Sequence, residues 1–289
     1  MKVNVKHLFL LFVSVALFAV LSGCGQEDTN SEAQGESNAD TEGLPDEIKD
    51  RGKFIIGVKE DYPPIGYIDE SDENVGFEID LIKEIAKSAF GDEDAIEFVP
   101  VTASNRIPYL TSNKIDFIAA TIGITEDRKK EVDFSEPYMT SGVTLLVHED
   151  SNIEDVSELE DEQVITIKGS TGSIYLDEEY PDMEQIKMDT TSDAVRALQD
   201  DRGVAFFGDA ILQLDIAKGN QDLKLVGDQE AASDMAMAFR KDDGELLEYI
   251  NEELEELKED DYYKELLDEW LPSASDLFDD VGEMIPRPD

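Results

Sequence analysis

The 289 residues include 70 Asp and Glu against 24 Lys and Arg, a formal charge of −46 and far more than solubility requires. A surface of that sign excludes nucleic acid as a partner, because phosphate recognition needs Lys and Arg footprints, and it repels anionic lipid. It suits a protein working in concentrated salt, where the Debye length falls to about 3 Å at 1 M and crowded carboxylates become tolerable; the alternative is an acidic secreted protein at ordinary salt.

The chain opens with Lys2 and Lys6, then an apolar run over residues 8–21 in which Ser14 is the one polar side chain. As a helix that run would be about 21 Å long, short of the roughly 30 Å hydrocarbon core. Residues 1–24 therefore read as a cleaved secretion signal, with an uncleaved anchor as the competing reading. Loss of Lys2 and Lys6 takes the formal charge from −46 to −48. Cys24 is the one cysteine, so no disulfide forms within the chain, in keeping with an oxidising exterior. Residues 25–47 are expected to form an acidic tether. Up to residue 45 they hold six acids, no Lys or Arg, and only Ala33, Ala39 and Leu44 as apolar groups beside Pro45, too little to bury and fold.

From residue 48 to 271 short apolar runs alternate with amphipathic stretches, the pattern of α/β layers. Residues 54–58 read as a strand, followed by the turn-rich Asp61-Tyr62-Pro63-Pro64. Ile79, Ile82, Ile85, Ala86 and Ala89 share one face of a helix. Strand-like 96–101, helix-like 107–112 and strand-like 117–122 complete a β-α-β-α-β order. A second set runs through strand-like 143–147 and 164–167, a helix after Ser170, and the segments 194–198 and 204–207. Residues 246–270 repeat apolar groups at helical spacing, as a closing helix pair does. Eight acids within residues 149–162 read as a solvated face and not as a metal site. With two histidines, His7 and His148, neither a metal constellation nor a Ser-His-Asp order is expected. Two lobes of about 100 residues each fit the length.

Several strings carry a family resemblance. Gly76-Phe77-Glu78-Ile79-Asp80-Leu81, followed by Ile85-Ala86 and Ala89, closely resembles the signature of the family 3 extracellular solute-binding proteins, the amino-acid receptors of ABC importers. Asn105-Arg106-Ile107-Pro108-Tyr109-Leu110, Thr121-Ile122-Gly123-Ile124-Thr125-Glu126-Asp127-Arg128 and Val132-Asp133-Phe134-Ser135-Glu136-Pro137-Tyr138 follow in the family's order and spacing. Lys168-Gly169-Ser170-Thr171-Gly172 and Gly203-Val204-Ala205-Phe206-Phe207-Gly208-Asp209 also match. Leu21-Ser22-Gly23-Cys24 resembles the bacterial lipoprotein signal, in which the cysteine is acylated and becomes the first residue.

The resemblance implies an α/β fold of two lobes, periplasmic-binding-protein-like (type II). Each lobe is a mixed sheet flanked by helices, and a two-segment hinge closes them on ligand. The expected boundaries are 48–140 with 235–289 for lobe one and 141–234 for lobe two, with crossings near 140–143 and 233–236. Gly142 and Ala231-Ala232-Ser233 are small enough to flex there. The resemblance also implies a monomer on the extracytoplasmic face of the cell membrane, anchored by lipid on Cys24, which needs no cofactor and hands an amino acid to an ABC permease.

By the same resemblance Arg128 clamps the α-carboxylate of the ligand through its fork of donors, helped by backbone amides near Thr121 and Gly123. Asp209, at a strand end where α/β crevices bind ligands, matches the family's ammonium acceptor. Ser170 and Thr171 lie between a strand and a helix, an anion site at a helix N-terminus that the family uses on the carboxylate from the second lobe. An ordinary N-cap is compatible with that role. Tyr62 is expected to cover the ligand's apolar stem, or to be a core aromatic. Arg106 stands in a string that resembles receptors for glutamate and aspartate, so the expected ligand is a polar or acidic L-amino acid; its alternatives are capping its helix or pairing with Glu97. Gly123 occupies a place where many relatives carry Ser or Thr, which leaves only backbone there. The main rival function is a cleft-based dehydratase of prephenate or arogenate type, which needs a positioned acid or base.

Overall fold

The structure is a computed structural model and describes residues 41–259 and 261–272. The expected signal, Cys24 and the tether up to residue 40 lie outside the described residues. The folded body begins before residue 48, where the tether was expected to end. Leu44 is 2 % exposed, and helix α1 (Asp46–Arg51) follows it and brings Ile48 into the same core. That core also holds Leu246 and Tyr249, so the burial of Leu44 comes from partners about two hundred positions away and leaves no local trace in composition.

Strand β1 (Phe54–Val58) leads to the short strands β2 (Asp61–Tyr62), β3 (Gly66–Ile68) and β4 (Asn74–Val75), then to helix α2 (Phe77–Phe90). After these come β5 (Ile96–Pro100), α3 (Arg106–Thr111), β6 (Phe117–Ala119), α4 (Arg128–Glu131) and β7 (Asp133–Phe134). The chain crosses over in β8 (Met139–His148) and continues through β9 (Gln163–Ile167), α5 (Thr171–Glu179), β10 (Glu184–Met188) and α6 (Thr191–Gln199). It then forms β11 (Ala205–Asp209), α7 (Ala210–Gly219) and the long β12 (Leu223–Met235). Strand β13 (Ala238–Phe239) and helices α8 (Gly244–Glu259) and α9 (Asp261–Trp270) complete the order.

Among the described residues the strands form two five-stranded sheets, ordered β5-β1-β6-β13-β7 and β10-β9-β11-β8-β12, and a small sheet β2-β3-β4. Both large sheets are mixed. β1 runs parallel to β5 and β6, and β9 to β10 and β11; β13 and β8 enter antiparallel. Each is the core of one lobe, as the α/β two-lobed expectation required.

Helix α2 shows how local sequence builds the first lobe. Gly76 sits at φ +127, and a Cβ there would lie 2.5 Å from the Ile65 carbonyl oxygen, so only glycine can start the turn into Phe77. Phe77, Leu81, Ile82, Ile85, Ala86 and Ala89 then bury one face among Phe54, Phe117 and Phe239. Each large side chain so buried stabilises the lobe by about 1.5–3 kcal/mol. Helix α9 fixes the first turn of α2 from outside, with Trp270 Nε1 donating to Asp80 Oδ2 at 2.8 Å and the Tyr262 hydroxyl to the Asp80 carbonyl at 3.3 Å.

The two crossing strands, β8 and β12, lie side by side, pairing Met139 with Met235, Thr140 with Asp234 and Ser141 with Ser233. Register then shifts on either side of Glu230, and Ala231 adopts φ +45. The ladder is thus regular at the crossing itself and irregular just inside the second lobe. In the first sheet, the strand expected over residues 117–122 stops at Ala119, because Thr121 adopts φ +49 and turns the chain into the space between the sheets.

Candidate functional site

The carboxyl ends of the parallel strands of both sheets face one cleft. Lys59 and Tyr62 follow β1, Thr121 follows β6, Ser170 follows β9, and Asp209 ends β11. The free space left in the cleft is about 50 Å³, so the two lobes lie close against each other across it. Of the residues singled out from sequence, Tyr62, Arg106, Thr121, Ser170, Thr171 and Asp209 line it. Gly123 and Arg128 stand one layer behind, against Thr171.

Arg128 opens α4 and is 6 % exposed. Its Nη1 donates to the Gly123 carbonyl at 2.6 Å and to Thr171 Oγ1 at 3.4 Å, and Nη2 donates to the Gly169 carbonyl at 3.1 Å. The guanidinium therefore reaches from the first lobe to the loop that starts α5 in the second. Burial lowers its pKa to about 10, which leaves it charged at neutral pH.

Arg106 is 2 % exposed and donates Nη1 to the carbonyls of Ala120 (2.6 Å) and Thr121 (3.1 Å). Neither structural alternative holds: Glu97 pairs with Lys53 at 2.7 Å, and α3 has no side-chain cap. Its Nε has no hydrogen-bond partner among the described residues. Burial first, then the nearby Arg128, bring its pKa down to about 9, while Glu78 opposes that fall. Glu78 is fully buried. It accepts the Thr121 N–H at 2.7 Å and the Tyr138 hydroxyl, and burial pushes its pKa up to about 7. One expectation is corrected here. The Thr121 amide, expected to help hold a carboxylate, is already spent on Glu78, because positive φ turns that N–H toward α2 and away from the cleft.

Asp209 caps α7, its Oδ1 accepting the N–H groups of Ile211 (3.1 Å) and Leu212 (3.2 Å). The Ser141 and Tyr62 hydroxyls also reach it. Burial pushes its carboxyl up to about 6 against these donors. Tyr62 packs on core clusters of both lobes, and burial and Asp209 hold its phenol well above the usual range. It is thus at once a core aromatic and a wall of the cleft. Ser170 is the N-cap of α5, its Oγ accepting the Ser173 N–H at 3.1 Å.

Sequence reasoning missed Lys59, Asp61, Ser141, Thr191 and Ser233. Lys59, 3 % exposed, pairs with Asp61 Oδ1 at 2.7 Å, and Asp61 Oδ2 accepts the Thr191 N–H across the cleft at 2.8 Å. A charged string directly after a buried strand was the signal available for Lys59 and Asp61. Ser141 and Ser233 had none, since only the pairing of β8 with β12 sets them opposite each other. Among the described residues, polar contacts that join the lobes over the cleft include Tyr62 with Asp209, Asp61 with Thr191, and Arg128 with Gly169 and Thr171.

Two mixed α/β lobes, a paired-strand hinge and a polar cleft at the strand ends define the architecture of a binding protein that closes on a small ligand. The sequence profile of the bacterial extracellular solute-binding proteins, family 3, matches residues 54–273, and the chain belongs to that family. It is 37 % identical over 270 residues to the ABC transporter glutamine-binding protein of Bacillus subtilis, covering 92 % of this chain and 97 % of that one. The crystal structure of a cysteine-binding protein from Campylobacter jejuni is similar with a TM-score of 0.79 and 36 % identity, over 84 % of this chain and 98 % of that one. An ancestral amino acid-binding protein, described as a precursor of cyclohexadienyl dehydratase, is similar with a TM-score of 0.72 and 33 % identity, over 78 % and 98 % of the two chains. Among the described residues no helix is long and apolar enough to cross a membrane.

Proposed function

We propose that this protein is the substrate-binding component of an ABC amino-acid importer, and that it captures a polar L-amino acid by closure of its lobes and delivers it to a membrane permease. The observation that carries this reading is a cleft lined by a helix N-terminus at Ser170 and Thr171 and by the acid Asp209 of the second lobe, with the first lobe's buried Arg128 one layer behind and donating to Thr171. A zwitterion needs that set: a forked cation and helix amides for its carboxylate, and an anion for its ammonium. Within the described residues lobe one comprises 44–140 with 235–272 and lobe two 141–234, and the mature protein is a monomer tethered by lipid on Cys24 outside the cytoplasm. Its acidic surface is an adaptation to concentrated salt.

Charge balance in the cleft favours a neutral side chain. Lys59 is matched by Asp61, and Arg106 has Glu78 as its nearby acid, so with Arg128 and Asp209 assigned to the zwitterion no full charge remains for a side-chain carboxylate. L-Glutamine fits that balance, as does the glutamine-binding relative from Bacillus subtilis. Glutamate becomes the better ligand where Glu78, with its pKa pushed up to about 7, takes up a proton and leaves Arg106 uncompensated. The dehydratase alternative draws on the dehydratase precursor among the similar structures, and Asp209 is the acid that would have to serve it.

Thermal melting against the twenty amino acids and prephenate, in low and in molar salt, tests the reading. Ligand at a hundred times its Kd stabilises by about 2.7 kcal/mol. L-Glutamine is expected to give the largest rise in Tm at pH 8, with glutamate gaining on it at pH 6. A rise with prephenate alone would favour the dehydratase, and no rise with any amino acid would end the transport reading.

A further inference from the structure

We infer that Ser233, on the return strand β12, is a direct contact for the ligand's carboxylate, and that position 123 must be glycine to admit its hydroxyl. The inference rests on the amino-acid-binding reading above and adds to it a residue and a pairing rule. A Cβ built on Gly123 would lie 2.7 Å from Ser233 Oγ, 3.2 Å from Thr171 Oγ1 and 3.6 Å from Arg128 Nη1. The first distance is shorter than any ordinary van der Waals contact, so the Ser233 hydroxyl occupies the space that a side chain at position 123 would need. Gly123, Thr171 and Ser233 come from three separate segments, and their meeting point is the Arg128 guanidinium, which donates to both the Gly123 carbonyl and Thr171 Oγ1.

Backbone pairing holds this arrangement in place. Gly123 bridges Met235 antiparallel, flanked by Ile124 N–H to the Asp234 carbonyl at 2.8 Å and Ala236 N–H to the Ile122 carbonyl at 3.3 Å. Ser233 lies two residues before Met235, on the same face of the strand, and so beside Gly123. Ser233 lines the cleft and is half-buried, and among the described residues its hydroxyl makes no hydrogen bond. A hydroxyl carries one donor and two acceptor sites, and beside a guanidinium the group that takes the donor is an anionic oxygen. Its cross-strand partner Ser141 lies beside Asp209, its hydroxyl directed to the Gly142 carbonyl at 3.3 Å. The two hinge strands thus offer one serine to the carboxylate end of a bound zwitterion and one to the ammonium end.

Calorimetric titration with L-glutamine on four forms of the chain tests this: wild type, Ser233→Ala, Gly123→Ser, and the exchange Gly123→Ser with Ser233→Gly. Ser233→Ala is expected to weaken binding about 10-fold or more, as loss of a hydrogen bond to a charged group does, with the ligand-free Tm unchanged. Gly123→Ser is expected to weaken it further, because two side chains then compete for one space. The exchange returns a single hydroxyl to that space and is expected to recover affinity to within about fivefold of wild type. Ser233→Ala binding as wild type does, or an exchange no better than Gly123→Ser, would overturn the inference while leaving the transport reading intact. Failure of wild type to bind any of the twenty amino acids would end both.

Discussion

The two walls of the cleft are built with different chemistry. The first-lobe wall is built on buried cations, each at most 6 % exposed: Lys59 and Arg106 are held by acceptors of their own lobe, Asp61 and the carbonyls of Ala120 and Thr121, and Arg128, one layer behind, by the Gly123 carbonyl and by Gly169 and Thr171 of the other lobe. The second-lobe wall presents helix starts instead, with Ser170 capping α5, Thr191 opening α6 and Asp209 capping α7. Full charges act over several ångströms, whereas helix amides act within the first turn.

That contrast can be broken at four places, in falling order of effect. Arg128→Ala removes the guanidinium that touches both walls; truncating one member of a buried charged pair costs about 2–5 kcal/mol, so amino-acid affinity measured by calorimetry is expected to fall about 30-fold at least. Near-normal affinity would remove Arg128 from the carboxylate site. Arg106→Ala strips the Ala120 and Thr121 carbonyls of a buried donor, and the expected loss is about 1–3 kcal/mol of stability, read as a lowered Tm. Adding Glu78→Gln should restore the part of the loss that comes from Glu78, and ligand preference in the single variant should shift away from acidic side chains.

Smaller effects come from pH. Asp209 must be ionised to accept an ammonium, and burial pushes its pKa up to about 6. Amino-acid affinity is therefore expected to be level above pH 7 and to fall as pH drops through 6, by up to about tenfold per unit. An affinity flat down to pH 5 would argue against Asp209. For stability the sign is set by Glu78, raised from 4.5 to about 7 by burial. Its contribution is fully present below pH 4.5 and is lost as pH rises through 7, so Glu78→Gln should flatten Tm across that window. The smallest change is expected from salt. Tm should climb by a few degrees between low and molar NaCl as the acidic surface is screened, and a flat curve would remove the case for adaptation to concentrated salt.

Much of this organisation is legible in the sequence, and the reason is range. Apolar spacing over residues 79–89 marks α2 because a helix repeats within a few residues. Asp209 and Ser170 are picked out by the family resemblance of the short strings that hold them, 203–209 and 168–172. Other features had no local signal. Leu44 reads as part of an acidic tether until Leu246 and Tyr249 cover it. Thr121 reads as a free amide until Glu78, 43 positions away, takes it. Arg106 reads equally well as a partner for Glu97, which Lys53 claims instead.

By itself the sequence determined the alternation of strands and helices, the two-lobed class and the cations and acids available to a cleft, since each follows from short-range periodicity or residue chemistry. Tertiary structure alone decided which of those groups remain free. The pairing of β8 with β12 sets Ser141 opposite Ser233, and the bridge from Gly123 to Met235 sets a hydroxyl beside a glycine. Closure brings Asp61 onto Thr191, 130 positions apart. Hydrogen bonds saturate within about 3 Å, so a donor's commitment is settled by whichever distant segment arrives at that distance, and no local pattern records it.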